Sequence, residues 1–412
     1  MTSKCPECGE TIHLEVDFSP WCSKCEWNVS PSELPPGTSY WERRFEEFSR
    51  RAGSELLKDM LVEKDPASAH ARQNLSDILA NVISAIIFLI AFALFGGGLY
   101  LGLTHWREHS VAVIAVLMIL LAAIVRPRIL KMPRSVQPLS AFPALNSLVD
   151  DVADRLNIPR IRNVVITDDF NAFVFQAGIR REPCLGIGLP LWFVLSPQEQ
   201  VSLIAHELSH LHNGDPARRF FPSSALYALR IWRKMMNTDW EEVPFWTLIG
   251  GIPFILLGRA IQAVEFALRL LMYRSQQRAE FLADFREATV AGTESAVSAL
   301  YKLGYGQYLK RACDKAYYGG DNVGKSLLTT FRTVVDHLPQ SEHERLRRQM
   351  TREYARVDTT HPPTRDRIAF LTRFPAPASL VFPQEQHAAI LRELSPLAER
   401  MGGRIMNAYD YE

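Results

Sequence analysis

The sequence predicts an α+β chain, mostly helical, that passes through a membrane more than once and carries a small four-cysteine zinc ribbon at its N-terminus. Three observations lead there. Two CxxC pairs stand within the first 25 residues. Long uncharged runs follow between residues 78 and 125. Beyond residue 140 apolar residues recur at helical spacing, except in a few short β-rich segments before residue 191.

The chain has 412 residues, enough for more than one domain. Its formal net charge is +1, which gives no electrostatic reason to expect nucleic acid as a partner. Of six cysteines, four are gathered at the start, a metal-site pattern rather than a disulfide framework. No cleavable signal peptide is read there: Cys5, Cys8 and acidic residues stand where a basic and an apolar region are needed.

Residues 1–30 read as a zinc ribbon. Cys5-Pro-Glu-Cys8 and Cys22-Ser-Lys-Cys25 are separated by 13 residues. Four thiolates fill a tetrahedral Zn²⁺ site and leave no position for water, so this zinc is expected to be structural. A redox dithiol or a disulfide pair is the bland alternative for a CxxC. A short strand is expected around Ile12 to Val16, and Trp21 and Trp27 belong to the ribbon core or to a surface for a protein partner.

Residues 31–77 read as a linker, Ser30 to Gly37, followed by an amphipathic helical region with Phe48, Leu56, Leu57 and Leu61. A helix lying on a membrane and an ordinary solvated helix pair fit it equally. Residues 78–126 read as a transmembrane hairpin. Ile78 to Thr104 carries no charge and is long enough to cross the hydrocarbon core. Gly96-Gly97-Gly98 suits close helix approach. Val111 to Val125 is a shorter apolar return. Arg126, Arg128, Lys131 and Arg134 follow it, while the connecting loop has a single Arg; positive-inside bias places both ends in the cytoplasm. The expected location is therefore the cell membrane, with both termini and the site cytoplasmic.

After a Pro-rich crossing, Leu145 to Leu156 has helical spacing, and Arg162 to Thr167, Asn171 to Phe175 and Cys184 to Leu191 read as strands. Such a sheet either is plain scaffold or offers an edge to a peptide backbone. The isolated Cys184 reads as buried and inert.

The chemistry sits in Leu203 to His212, which contains His206-Glu207-Leu208-Ser209-His210. On a helix, residues four apart share a face, so both imidazoles can hold one Zn²⁺ with Glu207 beside them as general base. Val201, Ile204, Leu208 and Leu211 form the buried stripe, and Ser196-Pro197 with Glu199 reads as the helix start. The bland reading is a core helix with two incidental histidines. Catalytic zinc takes three protein ligands, and His212 points elsewhere. The best later block is Arg278 to Asp284, where Glu280 can bind the metal and Asp284 can orient a ligating histidine. A solvated acidic pair balanced by Arg278 is the alternative.

His206-Glu-Leu-Ser-His210, Asn213-Gly214-Asp215, Glu280-Phe-Leu-Ala-Asp284, Asn171-Ala172-Phe173 and Thr360 to Arg365 together resemble the membrane-embedded zinc metallopeptidases of the M48 class. The bacterial heat-shock quality-control branch is closer than the CAAX prenyl endopeptidase branch. The resemblance runs over about residues 150–374 and implies a zincin-like metallopeptidase domain, assigned to 140–374. It implies His206, His210 and Glu280 as zinc ligands, Glu207 as general base and Asp284 as support behind the ligands. The implied function is zinc-dependent hydrolysis of internal peptide bonds in membrane or misfolded proteins at the cytoplasmic membrane face. The bilayer and a protein or peptide substrate are the implied partners. A processing protease with one substrate, and a non-enzymatic scaffold recruiting a partner through the ribbon, are the alternatives.

A further hydrophobic segment at about 243–272 stands as a hairpin arm, a re-entrant piece or a surface helix. Both ligand blocks must face one compartment, which excludes an odd number of crossings between them. His361 and Arg365 are read as fold-positioning or substrate-touching, and 375–412 as a C-terminal tail.

Overall fold

The structure, a computed structural model, describes residues 2–15, 18–29, 40–63, 66, 75–126, 132–178, 180–212, 215–236, 245–318, 327–353 and 361–409. The linker 30–39, Arg128, Lys131, Asn213, Gly214 and Thr360 lie outside the described residues.

The N-terminal ribbon pairs β1 (Thr2–Lys4) antiparallel with β2 (Thr11–His13). Next comes α1 (Tyr40–Val62). Its apolar residues Leu56 and Met60 pack with Phe281, Leu282 and Phe370, far along the chain. Asp59 pairs with Arg274, and Glu63 pairs with Arg278 at 3.1 Å. Part of the apolar face of this helix, at Leu56 and Met60, is thus used on the rest of the protein, while Phe48 stays exposed.

α2 (Leu75–Thr104) and α3 (His109–Val125) form a helical hairpin. A Cβ on Gly98 would meet the carbonyl oxygen of Ala115 and Cγ1 of Ile119 at 2.9 Å, so the close approach expected of the glycine triplet is real. Among the described residues α2 is the one helix long and apolar enough to cross a membrane; α3 is apolar but shorter. Only 28% of the apolar window of α2 is buried, and Leu89, Phe92, Leu117 and Leu120 face outward. A core helix of a soluble protein would be covered.

Then β3 (Gln137–Pro138) leads through α4 (Pro143–Leu156) to β4 (Asn163–Thr167), β5 (Ala172–Ala177) and β6 (Glu182–Gly188). The strand order is β3-β4-β6-β5, with β4 parallel and β5 antiparallel to β6. β5 is therefore an edge. Gly188 is demanded by geometry: a Cβ there would lie 1.9 Å from the carbonyl oxygen of Asp169. Cys184 is fully buried, and burial pushes its thiol up to about 11.

α5 (Leu189–Val194) turns the chain into α6 (Pro197–His212), the helix with the two histidines. α7 (Asp215–Met236) leaves from its end and α8 (Phe245–Ala291) returns beside it. At about 1.5 Å per residue α8 is roughly 70 Å long. The hydrophobic segment and the block with Glu280 are thus one continuous helix. Its N-terminal half packs with α2 and α7 through Phe88, Leu226, Leu229, Ile261 and Leu268. Its C-terminal half reaches α6.

The rest is helical: α9 (Thr293–Lys302), a 3₁₀ stretch (Leu303–Tyr308), α10 (Leu309–Tyr318), α11 (Leu327–Asp336), α12 (Gln340–Thr351), α13 (Thr364–Arg373) and α14 (Gln384–Tyr409). The stretch read as a tail is a correction. α14 puts Ile390, Leu394, Leu397 and Met401 into the main core beside α4 and α6. Glu393 accepts the backbone N–H of Ala144 at 2.7 Å and of Leu145 at 3.2 Å, capping α4. The spacing of those four apolar residues is helical and was present in the sequence.

Candidate active site and metal centres

α6 begins as its sequence requires. The Ser196 N–H donates to the Glu199 carboxylate at 2.6 Å, one half of a capping box. The same carboxylate is held by Lys302 Nζ at 2.7 Å and Ser298 Oγ at 2.6 Å. Burial opposes its charge, but these donors prevail and hold its pKa below the usual 4.5. Val201, Ile204 and Leu208 sink into the core, and His206, Glu207 and His210 are buried with little solvent contact. His212 turns away to the carbonyl of Leu156 at 2.8 Å, as its helical position implied.

α8 brings Glu280, Asp284 and Glu287 to α6; spacings of four and three residues place them on one helical face. Glu280 Oε2 lies 3.4 Å from His206 Nε2, and Oε1 lies 3.6 Å from His210 Nε2. On the far side of the ring, His206 Nδ1 lies 3.0 Å from Glu287 Oε2 and 3.2 Å from Asp284 Oδ1. Ser202 donates to the other oxygen of Glu287. Arg367, from α13, is buried and donates through Nε to both oxygens of Asp284, at 3.1 and 2.9 Å.

These groups fit a zinc ion. His206 Nε2 is buried and makes no well-aligned hydrogen bond among the described residues, its nearest carboxylate oxygen being Glu280 Oε2 at 3.4 Å. The carboxylates at Nδ1 keep a proton there, so Nε2, which faces Glu280 and His210, is the nitrogen that could take a metal once its own proton leaves. Ligands about 2.0–2.1 Å from a tetrahedral Zn²⁺ stand roughly 3.3–3.4 Å apart, close to the separations found around Glu280. Burial opposes charge on His206, but Asp284, Glu280 and Glu287 outweigh it and hold its pKa well above 6.5. Zinc binding there would displace a proton. Burial also opposes charge on Glu280, but His210, His361 and His206 hold it well below the usual carboxylate value. Desolvation pushes Glu207 up.

His361 completes the cluster. Its Nδ1 is 2.5 Å from Glu280 Oε2, and its ring centroid is 6.3 Å from that of His206. His206, Glu280 and His361 form a group in which one candidate ligand atom from each lies within 4.8 Å of the others. The 2.5 Å separation is too short for two ligands of one tetrahedral zinc, so His361 is better placed as a donor to Glu280 than as a ligand beside it. Arg365 instead pairs with Asp366 at 3.0 Å.

The second cluster is the ribbon. Cys5, Cys8, Cys22 and Cys25 bring their sulfurs within 4.8 Å of one another, with Cys5 to Cys25 at 3.5 Å and Cys8 to Cys22 at 3.6 Å. Zn–S bonds of about 2.3 Å set tetrahedral S–S separations near 3.8 Å. No disulfide links them.

A fold of this make-up, with HExxH on one helix and an acidic block on another, is that of a metal-dependent peptidase. The family profile of peptidase family M48 matches residues 140–374, and the chain belongs to that family. It is similar to the "Protease HtpX homolog" of Pyrobaculum islandicum, 25% identical over 300 residues that make up 70% of this chain and 80% of that protein. It is also similar to the "Protease HtpX" of Tolumonas auensis, 28% identical over 149 residues, 34% of this chain and 50% of that one. No solved structure matches the chain.

Of the residues the sequence singled out, the structure gathers His206, Glu207, His210, Glu280 and Asp284 in one place and the four cysteines in another. Sequence reasoning missed Glu287 and Arg367. Glu287 had a signal, since 280, 284 and 287 repeat at helical spacing. Arg367 had none: a buried arginine is defined by a partner 83 residues away.

Proposed function

We propose that the chain is a zinc endopeptidase that hydrolyses internal peptide bonds of membrane or misfolded proteins at the cytoplasmic membrane face. The observation that carries this reading is the convergence of His206 Nε2 and His210 Nε2 on the Glu280 carboxylate, at 3.4 and 3.6 Å, with Glu207 next to them on the same helix. His206, His210 and Glu280 would hold the zinc; when bound it supplies Lewis acidity toward the carbonyl and the attacking water. Glu207 takes the proton of the attacking water and passes it to the leaving amine. Its raised pKa suits that exchange. Glu287 and Asp284 hold the His206 ring in its working tautomer. His361, which meets Glu280 through Nδ1, holds that carboxylate in place. The edge strand β5, beside α6, is placed to pair with an extended substrate backbone.

The membrane part of the reading rests on α2 and α3. Their outward apolar faces suit lipid, and the basic cluster after α3 suits a cytoplasmic end. The 25% identical relative shares most of this length, and its description as a protease supports the same reading for this chain. The ribbon would hold a second, structural zinc.

The test is cleavage of an unstructured protein, such as casein, by detergent-purified protein. The reading requires cleavage at several internal bonds, its loss with chelator, and its return with Zn²⁺. Cleavage that ignores chelator, or none in zinc-loaded protein, would overturn it.

A further inference from the structure

The ribbon is docked on α12. Arg345 Nη1 donates to the carbonyl of Val29 at 3.2 Å, and Arg348 Nη1 donates to that of Ser23 at 2.5 Å. The Arg348 guanidinium also lies 5.2 Å from the ring centroid of Trp21. Arg352 donates through Nε and Nη2 to Oε2 of Glu26, at 2.9 and 2.6 Å. An isolated surface ion pair is worth little, but this one sits in a network of three arginines at one helix.

Glu26 itself is unusual. It directly follows the fourth cysteine and has φ +60°. The matching position of the first knuckle, after Cys8, is Gly9 at φ +71°. The knuckle needs a left-handed residue there, which glycine adopts freely and a glutamate does not. A disfavoured backbone state kept at a specific contact points to a task for the side chain. Here that task is Arg352, at 2.6 Å, with Arg348 further off at 3.7 Å.

Past Arg352 the contacts run to the metal centre. The carboxylate of Glu353 accepts the Thr364 hydroxyl at 3.2 Å and the Thr364 N–H at 3.5 Å, at the start of α13. One turn on, Arg367 is locked to Asp284 and comes within 3.3 Å of His206. Three residues before Thr364, His361 meets Glu280.

We propose that Glu26 and Arg352 are a positioning pair through which the docked ribbon holds His361 and Arg367 in register with the metal helix. The peptidase then reaches full rate only with its ribbon seated. The proposal rests on the reading of the metal centre given above.

The test uses the full chain in detergent, as Glu26→Gly, Arg352→Glu, Glu26→Arg and the combined charge reversal. Glu26→Gly is the decisive variant, because glycine suits φ +60° and the ribbon keeps its zinc and its thermal stability. Its kcat should fall roughly threefold to thirtyfold, the range for mutations that couple distant sites, while KM stays within about twofold. Hydrogen exchange over 361–367 should become faster. The charge reversal should recover kcat to within about threefold of the starting protein, since the pair is restored in the opposite sense. Wild-type kcat and exchange in Glu26→Gly, or single reversals whose loss the combined reversal does not repair, would overturn the coupling. If the wild-type chain cleaves nothing, the peptidase reading fails on its own, and the exchange measurement still decides the coupling.

Discussion

Arg367 holds Asp284 through both carboxylate oxygens, and His206 Nδ1 stands between the two carboxylates, 3.0 Å from Glu287 and 3.2 Å from Asp284. The guanidinium neutralises Asp284 and fixes it. Glu287, oriented by Ser202, is free of that guanidinium and shares the His206 proton with Asp284.

From this pairing we expect Glu287→Gln to lower zinc affinity or activity by about 10–100-fold, the usual effect of removing a carboxylate behind a ligating histidine. Asp284→Asn should cost at least as much, because it also leaves Arg367 buried without its partner. Zinc titration against a competing chelator measures both. A Glu287→Gln protein with unchanged affinity and rate would return the orienting role to Asp284.

Glu280→Ala should lose most of the catalytic zinc, since two histidines alone leave the ion weakly held. Zinc content per chain should drop from two to one, the ribbon ion remaining. Anomalous diffraction at the zinc edge gives the same answer by distance. A Glu280 oxygen about 2.0–2.2 Å from the metal is expected. A separation beyond about 4 Å would remove Glu280 from the ligand set, since no Zn–carboxylate bond reaches that far.

The ribbon's four thiolates are local in sequence, so a peptide of residues 1–36 should bind one zinc and lose its order when the metal is stripped. Equal order with and without metal, by NMR dispersion, would mean that the cysteines serve something else.

Glu199 ties the start of α6 to α9 and gives stability a definite pH dependence. Its folded pKa lies below 4.5, so its contribution is complete above that value and fades as pH falls through the lower folded value. Glu199→Gln should lower the melting temperature at pH 7 by about 2–4 °C, with a difference that shrinks as pH falls below 4.5. A constant difference across that range would show that its charge is not what matters.

The site's two halves were legible because each is a local pattern: a zinc ligand pair four residues apart, and an acidic residue with a helical companion. The ribbon was legible for the same reason. What stayed hidden needed tertiary partners. Arg367 is indistinguishable from its exposed neighbour Arg365 until α13 is laid against α8. The amphipathic stripe of α1 announced a buried face but not its partner, and that partner, Phe281 and Phe370, lies more than 200 residues on. α14 failed differently. Ile390, Leu394, Leu397 and Met401 carried the helical period, and only the absence of a motif made that segment read as a tail.

The central claim is that Glu207 takes the proton of the attacking water, and Glu207→Gln tests it most directly. The carboxamide keeps the size of the side chain but takes no proton. Zinc content and casein cleavage should be measured on the same detergent-purified sample. The account predicts two zinc ions per chain, as in the wild type, with cleavage reduced by at least about 10²–10⁴-fold, the range for losing a general base. Full zinc with wild-type cleavage would contradict it.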